Sequence, residues 1–590
     1  SFDGYFGVQN VAKEVNLLNT EQYMMIMDES HRNSTGSGYN WSGYKSIYDA
    51  NGNLYDVDWL DKMFEDNAQM QSYTLGITGG STVSQYAISL GYMSQEGIVG
   101  GKDVSNFSRY NFRINSEHKL FKNLLKVGEQ VSFVYRDKTG VGVGGQYDNS
   151  LRGAYEIAPF VPIYSDNNIY DMPYNDTSNS DWNQESGNPY GLMMMRHNQN
   201  KNVFFSGNAY AELQPIKNLK IRTVFGANYS TNEYRNFNPI YQFGSTSRNT
   251  NTSVTQNMQH VLELTWTNTA TYDWKVNDHA FNALIGMESY QYNGTYLSGS
   301  NSSLKEGFDD WEHAYISNGT ASSTASGLGV SGYPLDENRT VSYFVRFGWN
   351  WKETYMLNAT VRADGSSKFA KGHRWGFFPS ASVGYRISEE SFIKEFAPLS
   401  FITNWKLRAS YGAMGDDGSS SYQYLSGYDY PGASYVFGDV VYKGLGFRGL
   451  PNELITWYKS KTLNVGTDLD LWNGMLSAQV DFFWRYRDGL LGKRSGEVPG
   501  TIGAELPEEN LNQDLYKGFE IVLGHRNKIN DFNYSVSLNF ALTRRQNRHL
   551  EEGDAVNSYD RWRNKYSNRY SDMGWAYGSN GQFTSMEDIW

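Results

Sequence analysis

The chain has 590 residues and no cysteine, which excludes disulfide bonds, a thiol nucleophile and cysteine-based metal sites. Its 63 acidic and 51 basic residues give a formal net charge of −12, which argues against general binding to nucleic acids. The mean hydropathy is −0.60. No run of about 18 apolar residues occurs, so transmembrane helices are excluded.

This composition still allows a membrane protein, because only alternate residues of a β-barrel strand face lipid. The 45 tyrosines and 16 tryptophans suit membrane interfaces, where an apolar ring with a polar tip is favoured. Aromatic-rich soluble sheets are the alternative on composition alone. The chain is too long for one ordinary soluble core, yet no Pro- or Ser-rich linker divides it. One large, undivided barrel accounts for both observations.

An alternation of apolar and polar side chains with a period of two recurs along the chain and predicts β-strands. It is clearest over 341–351, where one face is apolar and the other is mostly polar, with Phe344 as the exception. A run of about ten residues is what a tilted strand needs to cross a bilayer. Similar runs occupy 85–92, 355–362, 476–485 and 532–543.

Short turns and long polar connections alternate between these runs. Short turns are predicted near 79–80, 123, 218, 277–278, 352–353, 473–474 and 530–531, and a helix-like reversal over 389–404. Long polar segments lie at 138–200, 232–258, 291–338, 413–460, 487–516 and 544–580. Outer-membrane barrels show this asymmetry. The pattern predicts an all-β fold, a large antiparallel transmembrane β-barrel, with roughly sixteen to eighteen strands in this chain.

The sequence lacks the motifs of common enzymes. None of the nine histidines belongs to an HExxH pair, and no G-x-S-x-G or phosphate-binding loop occurs. The stretch from Asp49 to Asn53 resembles the start of a calcium loop but has Leu54 where that loop needs glycine. The acidic pairs at 309–310, 416–417 and 551–552 are interpreted as solvated loop residues. We therefore expect no enzymatic activity, no cofactor and no metal.

Aromatic residues crowd the long polar segments beside Asn, Asp and Gln. Flat rings next to hydrogen-bonding groups favour oligosaccharide binding, and the alternative is that the rings pack the loops against each other. The candidate ligand-binding residues are Tyr164, Tyr170, Trp182, Trp311, Tyr424 and Tyr430. The polar strand faces carry arginines that are expected to line and hydrate the lumen, namely Arg346, Arg362, Arg386, Arg408 and Arg485.

Several segments resemble the SusC/RagA-type TonB-dependent outer-membrane transporters of Bacteroidota. The matching segments run in order from 5–10 through 73–80, 86–97 and 109–113 to a late motif at 581–589. The most specific motifs are 362–369 (RADGSSKF), 375–380 (WGFFPS) and 407–412 (LRASYG). The signature residues within them are Arg362, Asp364, Gly365, Ser366, Phe369, Trp375 and Pro379.

The resemblance implies a 22-stranded barrel filled by an N-terminal plug and capped by a SusD-like surface lipoprotein, with energy relayed by TonB. The family's plug and TonB box precede the point that matches Ser1, and its last strands follow the point that matches Trp590. On this basis residues 1–590 are expected to form a partial barrel with long extracellular loops, without the plug or the final strands.

The resemblance further implies an outer-membrane importer whose apolar strand faces contact lipid and lipopolysaccharide. The expected cargo is an oligosaccharide, with peptides on the same scaffold as the main alternative. A surface adhesin or passive channel on a similar barrel, and a soluble carbohydrate-active enzyme, are the alternatives from other classes. No nucleic-acid partner is expected.

Overall fold

A computed structural model describes residues 1–43, 47–122, 124–142, 149–164, 188–243, 248–494, 501, 503–579 and 581. Most of these residues lie in antiparallel β-strands. In the described part of the chain the strands are β1 (Phe2–Gln9), β2 (Ala68–Gly80), β3 (Ser84–Glu96), β4 (Asn106–Leu120), β5 (Leu125–Thr139), β6 (His197–Ile216), β7 (Leu219–Asn238), β8 (Tyr241–Gln242), β9 (Arg248–Asn249), β10 (Ser253–Val276), β11 (His279–Ser302), β12 (Gly329–Pro334), β13 (Asn338–Trp351), β14 (Tyr355–Ser366), β15 (Trp375–Arg386), β16 (Ile402–Asp416), β17 (Tyr428–Phe437), β18 (Val440–Phe447), β19 (Tyr458–Leu471), β20 (Leu476–Lys493), β21 (Glu508–Ile529) and β22 (Phe532–His549).

Helices are few and mostly short. The α-helices of the described residues are α1 (Thr20–Thr35), α2 (Trp59–Met63), α3 (Gly101–Val104), α4 (Ser150–Glu156), α5 (Pro189–Met195), α6 (Ser391–Lys394) and α7 (Ser558–Arg563). None of these described helices combines the length and the apolar character needed to cross a membrane. Turns of 3₁₀-helix at 387–389 and 397–399 flank α6 and form the helix-like reversal predicted at 389–404.

The chain divides into two compact units. The first unit comprises Ser1–Ala211, Val224–Thr265 and Tyr292–Glu337, and the second comprises Glu212–Thr223, Trp266–Gln291 and Asn338–Trp590. Among the described residues, eighteen strands belong to one sheet. Two separate hairpins, β8–β9 and β17–β18, stand apart from it. The predicted strand count of roughly sixteen to eighteen agrees with this sheet.

Sequential strands pair antiparallel within each unit. In the first unit β1 to β5 form a meander, and Tyr73, Tyr92, Tyr110 and Tyr135 stand opposite one another across β2 to β5. Their ring centroids are 6.5, 5.0 and 6.3 Å apart in turn. Such aromatic cross-strand pairs stabilise the sheet and set its register. In the second unit β13 to β16 and β19 to β22 continue the same pattern.

Asparagines in left-handed backbone make the shortest turns. Asn218, Asn277 and Asn530 have φ of 72°, 51° and 53°. They lie in the two-residue connections β6–β7, β10–β11 and β21–β22. Asparagine tolerates this conformation better than most residues, which is why the turns are readable from the sequence. The turns predicted at 277–278, 352–353, 473–474 and 530–531 are confirmed, and the one predicted at 123 lies outside the described residues.

The two faces of β13 differ in exposure. On β13, Tyr343 and Val345 are 53% and 54% exposed, whereas Ser342, which precedes Tyr343, is 1% exposed. A water-soluble sheet buries its apolar face, so this arrangement is the reverse of a soluble one. The alternation that predicted the strand at 341–351 is confirmed in β13.

The predicted lengths of several connections were wrong. The segments 232–258, 291–338 and 487–516 were interpreted as loops, but β7 runs to Asn238, β11 to Ser302 and β20 to Lys493. β10 and β11 have 24 residues each, more than the ten or so that a bilayer crossing needs. Outside the hydrocarbon region no face has to be apolar, so the strands continue there without the alternation that marks them elsewhere.

A small hydrophobic core lies in the first unit, around the short helices. Trp59, Met63, Phe160 and Phe243 are buried within it. Asn188 caps α5, accepting a hydrogen bond from the Gly191 N–H at 2.9 Å, and is itself buried. The 16-residue helix α1 follows β1 along the chain.

Candidate functional site

Arg362 organises the polar face of β13 and β14. Its Nη2 donates to Glu288 Oε1 at 2.9 Å and to Ser342 Oγ at 2.8 Å, and its Nε donates to Asp364 Oδ1 at 2.6 Å. The guanidinium carbon also lies 5.3 Å from the centroid of the Phe344 ring. The one aromatic residue on this polar face therefore supports the arginine as a cation–π partner.

A second network centres on Arg408 of β16. Its guanidinium donates two hydrogen bonds to Asp468, at 2.9 and 2.8 Å, and two to Asp481, at 3.0 and 2.9 Å. Gly466 stands between Arg408 and Asp481 in the strand register. A Cβ there would lie 2.5 Å from an Asp481 oxygen, so glycine leaves room for the contact. Bidentate arginine–carboxylate pairs of this kind have fixed geometry and favourable energy.

A third network lies on β20 to β22. Asp514 is fully buried, and Arg487 and Arg545 both contact its carboxylate. All three networks hold charged side chains in fixed positions on the polar face of their strands. Of the predicted lumen arginines, Arg362 and Arg408 are thus committed to acidic neighbours within the second unit.

The signature motif 362–369 continues into a loop that is tied to the loop after β16. Ser366 is 1% exposed and donates to Asp417 Oδ2 at 2.6 Å, while Lys368 Nζ donates to the Asp417 carbonyl at 2.9 Å. Phe369 is fully buried with its ring centroid 5.7 Å from that of Trp457. Ser366 and Lys368 of this motif therefore connect the loop after β14 to the loop after β16, and Phe369 packs against Trp457.

Trp375 and Pro379 have different roles in β15. Trp375 lies on the exposed apolar face and stacks on Tyr343 with ring centroids 6.1 Å apart. It also covers Gly365, where a Cβ would stand 3.1 Å from the indole. Pro379 pairs with Val361 and immediately precedes the first residue of β15 that pairs with β16. Proline lacks an N–H and cannot donate a backbone hydrogen bond. It is therefore tolerated at this position, where the pairing of β15 with β16 has not yet begun.

Trp311 lies in the first unit, in a cluster of charged and aromatic side chains. The Arg235 guanidinium carbon is 3.8 Å from its ring centroid and 4.5 Å from that of Tyr315. The His197 ring stacks on Trp311 at 5.5 Å. Asp310 next to it contacts His313 at 2.8 Å, and hydrogen bonds from His313 lower the pKa of Asp310.

The other predicted ligand-binding residues lie in separate places. Tyr164 is exposed with its ring 6.5 Å from that of Tyr190, apart from the Trp311 cluster. Tyr424 makes an edge contact with Tyr422 at 6.3 Å, and Tyr430 is 70% exposed on β17. Tyr170 and Trp182 lie outside the described residues.

The sequence interpretation missed an exposed apolar hairpin within the long segment 413–460. We call residues 428–447, which form β17 and β18, the aromatic hairpin. Tyr435 stands opposite Tyr442 on one face, and Val436 opposite Val441 on the other. Its large apolar side chains are exposed on both faces, and they are Tyr428, Tyr430, Tyr435, Val436, Phe437, Val440, Val441, Tyr442, Leu445 and Phe447.

The structure gives no support for a metal centre in the part of the chain that it describes, where no three acidic or histidine side chains could hold an ion. The loop at Asp49 is a hydrogen-bonded turn. Its carboxylate accepts from the backbone N–H groups of Asn53 and Asn51, both at 2.8 Å. These bonds, the Asn53 bond foremost, lower the pKa of Asp49.

Comparison with known sequences identifies the family. The sequence family described as TonB dependent receptor-like, beta-barrel matches residues 137–588. The chain belongs to this TonB-dependent receptor β-barrel family. The fold class predicted from the sequence is thereby confirmed.

Individual relatives agree with this assignment. The TonB-dependent receptor P3 of Formosa agariphila is 27% identical over 517 residues, covering 85% of this chain and 48% of the relative. The TonB-dependent receptor SusC of Bacteroides thetaiotaomicron is 27% identical over 534 residues, covering 85% of this chain and 49% of the relative. The chain thus spans about half the length of these curated relatives.

Among solved structures, that of the RagAB peptide transporter matches with a TM-score of 0.74 and 21% identity, covering 94% of this chain and 62% of that chain. At this identity the match shows the fold. The resemblance to SusC/RagA-type proteins is confirmed by these comparisons. The TonB-dependent receptor β-barrel family consists of outer-membrane receptors and transporters and is not a family of enzymes.

Proposed function

We propose that this chain forms barrel wall and loops of a TonB-dependent outer-membrane importer whose cargo is an oligosaccharide. The observation that carries the proposal is the two-faced strand: exposed apolar side chains such as Val345 on one face and fixed ionic networks such as that of Arg362 on the other. An apolar outer band and a polar interior are what a membrane barrel requires. The chemistry of such a protein is binding and gating, and no bond is made or broken.

The exposed loop aromatics support an oligosaccharide cargo. Tyr430 is 70% exposed, and Trp311 and Tyr424 are partly exposed beside polar neighbours. An aromatic ring presents an apolar face to the C–H face of a sugar while nearby amides and carboxylates hydrogen-bond its hydroxyls.

Peptide import is the second candidate. It is favoured by the fold match to a protein named as a peptide transporter. The same aromatic and charged groups suit peptide side chains, so the cargo has to be decided by binding measurements.

Three partners follow from the proposal. The exposed apolar strand faces contact lipid and lipopolysaccharide. The aromatic hairpin (428–447) is the docking surface for a SusD-like surface lipoprotein, because its large apolar side chains are exposed on both faces. TonB supplies the energy for import.

The test uses the natural full-length protein, purified from outer membranes in detergent. Calorimetry with a panel of neutral and acidic oligosaccharides and a panel of peptides should show binding to oligosaccharides, and uptake should cease when the proton-motive force is collapsed. Tyr424→Ala, outside the aromatic hairpin, should weaken binding, whereas Tyr577→Ala, at a fully exposed loop tyrosine, serves as the control. Recovery of the protein in the soluble fraction without detergent would contradict the barrel, and binding confined to the peptide panel would contradict the cargo.

A further inference from the structure

Two arginines stand directly opposite each other on adjacent strands of the first unit. Arg109 of β4 pairs with Arg136 of β5 in the antiparallel register. Side chains at such positions have Cβ atoms only about 5 Å apart, and like charges there destabilise the pair. Both lie on the polar face, because the next residues along each strand, Tyr110 and Tyr135, belong to the aromatic row on the other face.

The surroundings on this face supply no carboxylate. Across β3, β4 and β5 the rows that contain or flank the pair hold only basic, neutral polar and apolar residues. Each row has one residue from β3, one from β4 and one from β5, in that order. The four rows are Gln95, Phe107 and Lys138; Met93, Arg109 and Arg136; Gly91, Asn111 and Val134; and Ser89, Arg113 and Ser132. The corresponding residues of β2 are Met70, Ser72, Thr74 and Gly76. Four cations thus face the same side without an acidic residue in these rows.

Some hydrogen-bond donors of the two arginines also lack acceptors. Within the described residues, Nε of Arg109 and Nε of Arg136 are buried and have no hydrogen-bond partner. The guanidinium carbon of Arg136 lies 4.3 Å from the centroid of the Phe204 ring. A ring over the face of a guanidinium orients it and leaves its N–H edge for another acceptor.

Three arginines of the second unit, also on polar strand faces, have carboxylate partners. Arg362, Arg408 and Arg487 each contact at least one carboxylate at 2.9 Å or less. The cross-strand positions next to Arg109 and Arg136 provide none. The pair therefore has the charge and spacing for an anion that comes from outside these strands, and a planar carboxylate matches the guanidinium fork.

We propose that Arg109 and Arg136 bind a carboxylate of the cargo, so that the imported oligosaccharide is an acidic one that carries uronic acid residues. This inference rests on the proposed function and names the substrate class. Phe204 beside the pair offers an apolar surface to the sugar ring, while the two guanidinium groups hold its carboxylate.

The test compares two probes that differ only in charge. Binding of a galacturonate oligosaccharide and of its fully methyl-esterified form is measured by calorimetry on the full-length protein. The variants are Arg109→Gln/Arg136→Gln and Arg109→Lys/Arg136→Lys, and Lys217→Gln/Lys220→Gln is the control that removes two positive charges beside a short turn. Heat-dependent mobility on gels and single-channel conductance show whether each barrel is folded and closed.

We expect the natural protein to prefer the acid over the ester, and the double glutamine variant to lose about tenfold or more in affinity for the acid alone, as for lost charge-assisted hydrogen bonds. The lysine variant should retain part of the preference, and the control all of it. Unchanged binding of the acid in a folded glutamine variant would overturn the inference. So would a rise in conductance with unchanged binding, since the arginines would then hold an acidic side chain inside the barrel.

Different results would contradict the arginine assignment and the proposed oligosaccharide cargo. If acid and ester bind equally well, the oligosaccharide importer stands and only the assignment of the arginines is lost. If neither form nor any neutral oligosaccharide binds, and an acidic peptide loses affinity in the glutamine variant, the sugar cargo itself is overturned.

Discussion

Arg487 donates hydrogen bonds to both carboxylate oxygens of Asp514, at 2.8 Å from Nε and 2.5 Å from Nη2. The Asp514 side chain is fully buried, whereas that of Arg487 is 26% exposed. Nε of Arg545 also lies 2.9 Å from the same carboxylate, but without the geometry of a hydrogen bond. One buried anion on β21 therefore balances two cations, Arg487 on β20 and Arg545 on β22.

Replacing Asp514 by Asn should destabilise the barrel strongly. The amide keeps the size of the side chain but leaves Arg487 and Arg545 facing each other without a counter-ion. Removing one member of a buried ion pair lowers the free energy of unfolding by about 3–5 kcal/mol. We expect the low end of this range, about 3 kcal/mol, because both arginines remain partly exposed. The measurement is the urea midpoint of unfolding in detergent.

Asp572→Asn is the matched control for Asp514→Asn. Asp572 pairs with Arg544 at 3.0 Å, but both side chains are well exposed, and exposed pairs contribute little. Equal midpoints for the two variants would show that burial of Asp514 does not matter to stability.

Gly286 and Phe344 explain the single break in the alternation of β13. A Cβ at Gly286 would lie 2.3 Å from two atoms of the Phe344 ring, so the glycine makes room for the aromatic residue. Gly286→Ala should cost about 1–3 kcal/mol through overpacking. Phe344→Ala removes the ring, so in its background Gly286→Ala should cost much less.

The control for Gly286→Ala is Gly226→Ala, because the nearest atoms to a Cβ at Gly226 are 3.9 Å away. Unfolding midpoints of the four variants of the Gly286–Phe344 cycle give the coupling energy. Additive effects of the two substitutions would mean that the ring moves aside freely.

The strands and turns could be predicted from the sequence because local rules decide them. Alternation fixed the faces of β13, and Asn277 and Asn530 mark turns that need left-handed backbone. Strand ends could not be predicted, because β11 continues to Ser302 where no lipid requires an apolar face.

The site was less accessible to sequence reasoning than the fold. Arg408 meets Asp468 and Asp481 across 60 and 73 residues of chain, and only the register brings them together. The same holds for Arg109 and Arg136, whose juxtaposition depends on the register of β4 and β5. The aromatic hairpin was missed because both of its faces are apolar, so it lacks the one-sided pattern that marks a strand.

Acidification should loosen the loop that follows β22. Burial by itself would raise the pKa of Glu552, but hydrogen bonds from the backbone N–H groups of Ser567 and Tyr566, at 2.6 and 2.7 Å, outweigh it and hold the pKa below its usual 4.5. Because the folded-state pKa is the lower one, ionised Glu552 stabilises the loop at neutral pH, and this contribution is lost as the pH falls below 4.5 through the folded-state pKa.

Hydrogen exchange at the Tyr566 and Ser567 amides, corrected for the intrinsic pH dependence of exchange, measures this effect. Protection should fall on acidification in the natural protein. In Glu552→Gln, which keeps a neutral acceptor, protection should be weaker at neutral pH and nearly independent of pH. Protection that stays constant in both proteins would show that Glu552 does not hold the loop.

Val436 provides the sharpest test of the aromatic hairpin as a docking surface. It is 66% exposed and pairs with Val441, so a charge there disrupts an apolar contact without touching a core. We expect Val436→Asp to abolish co-purification of a SusD-like lipoprotein, identified by mass spectrometry, because burying a carboxylate without a partner is strongly unfavourable. Val556→Asp, at a valine that is 92% exposed in another loop, is the control and should leave the complex intact. If both variants retain the lipoprotein equally, the partner docks elsewhere.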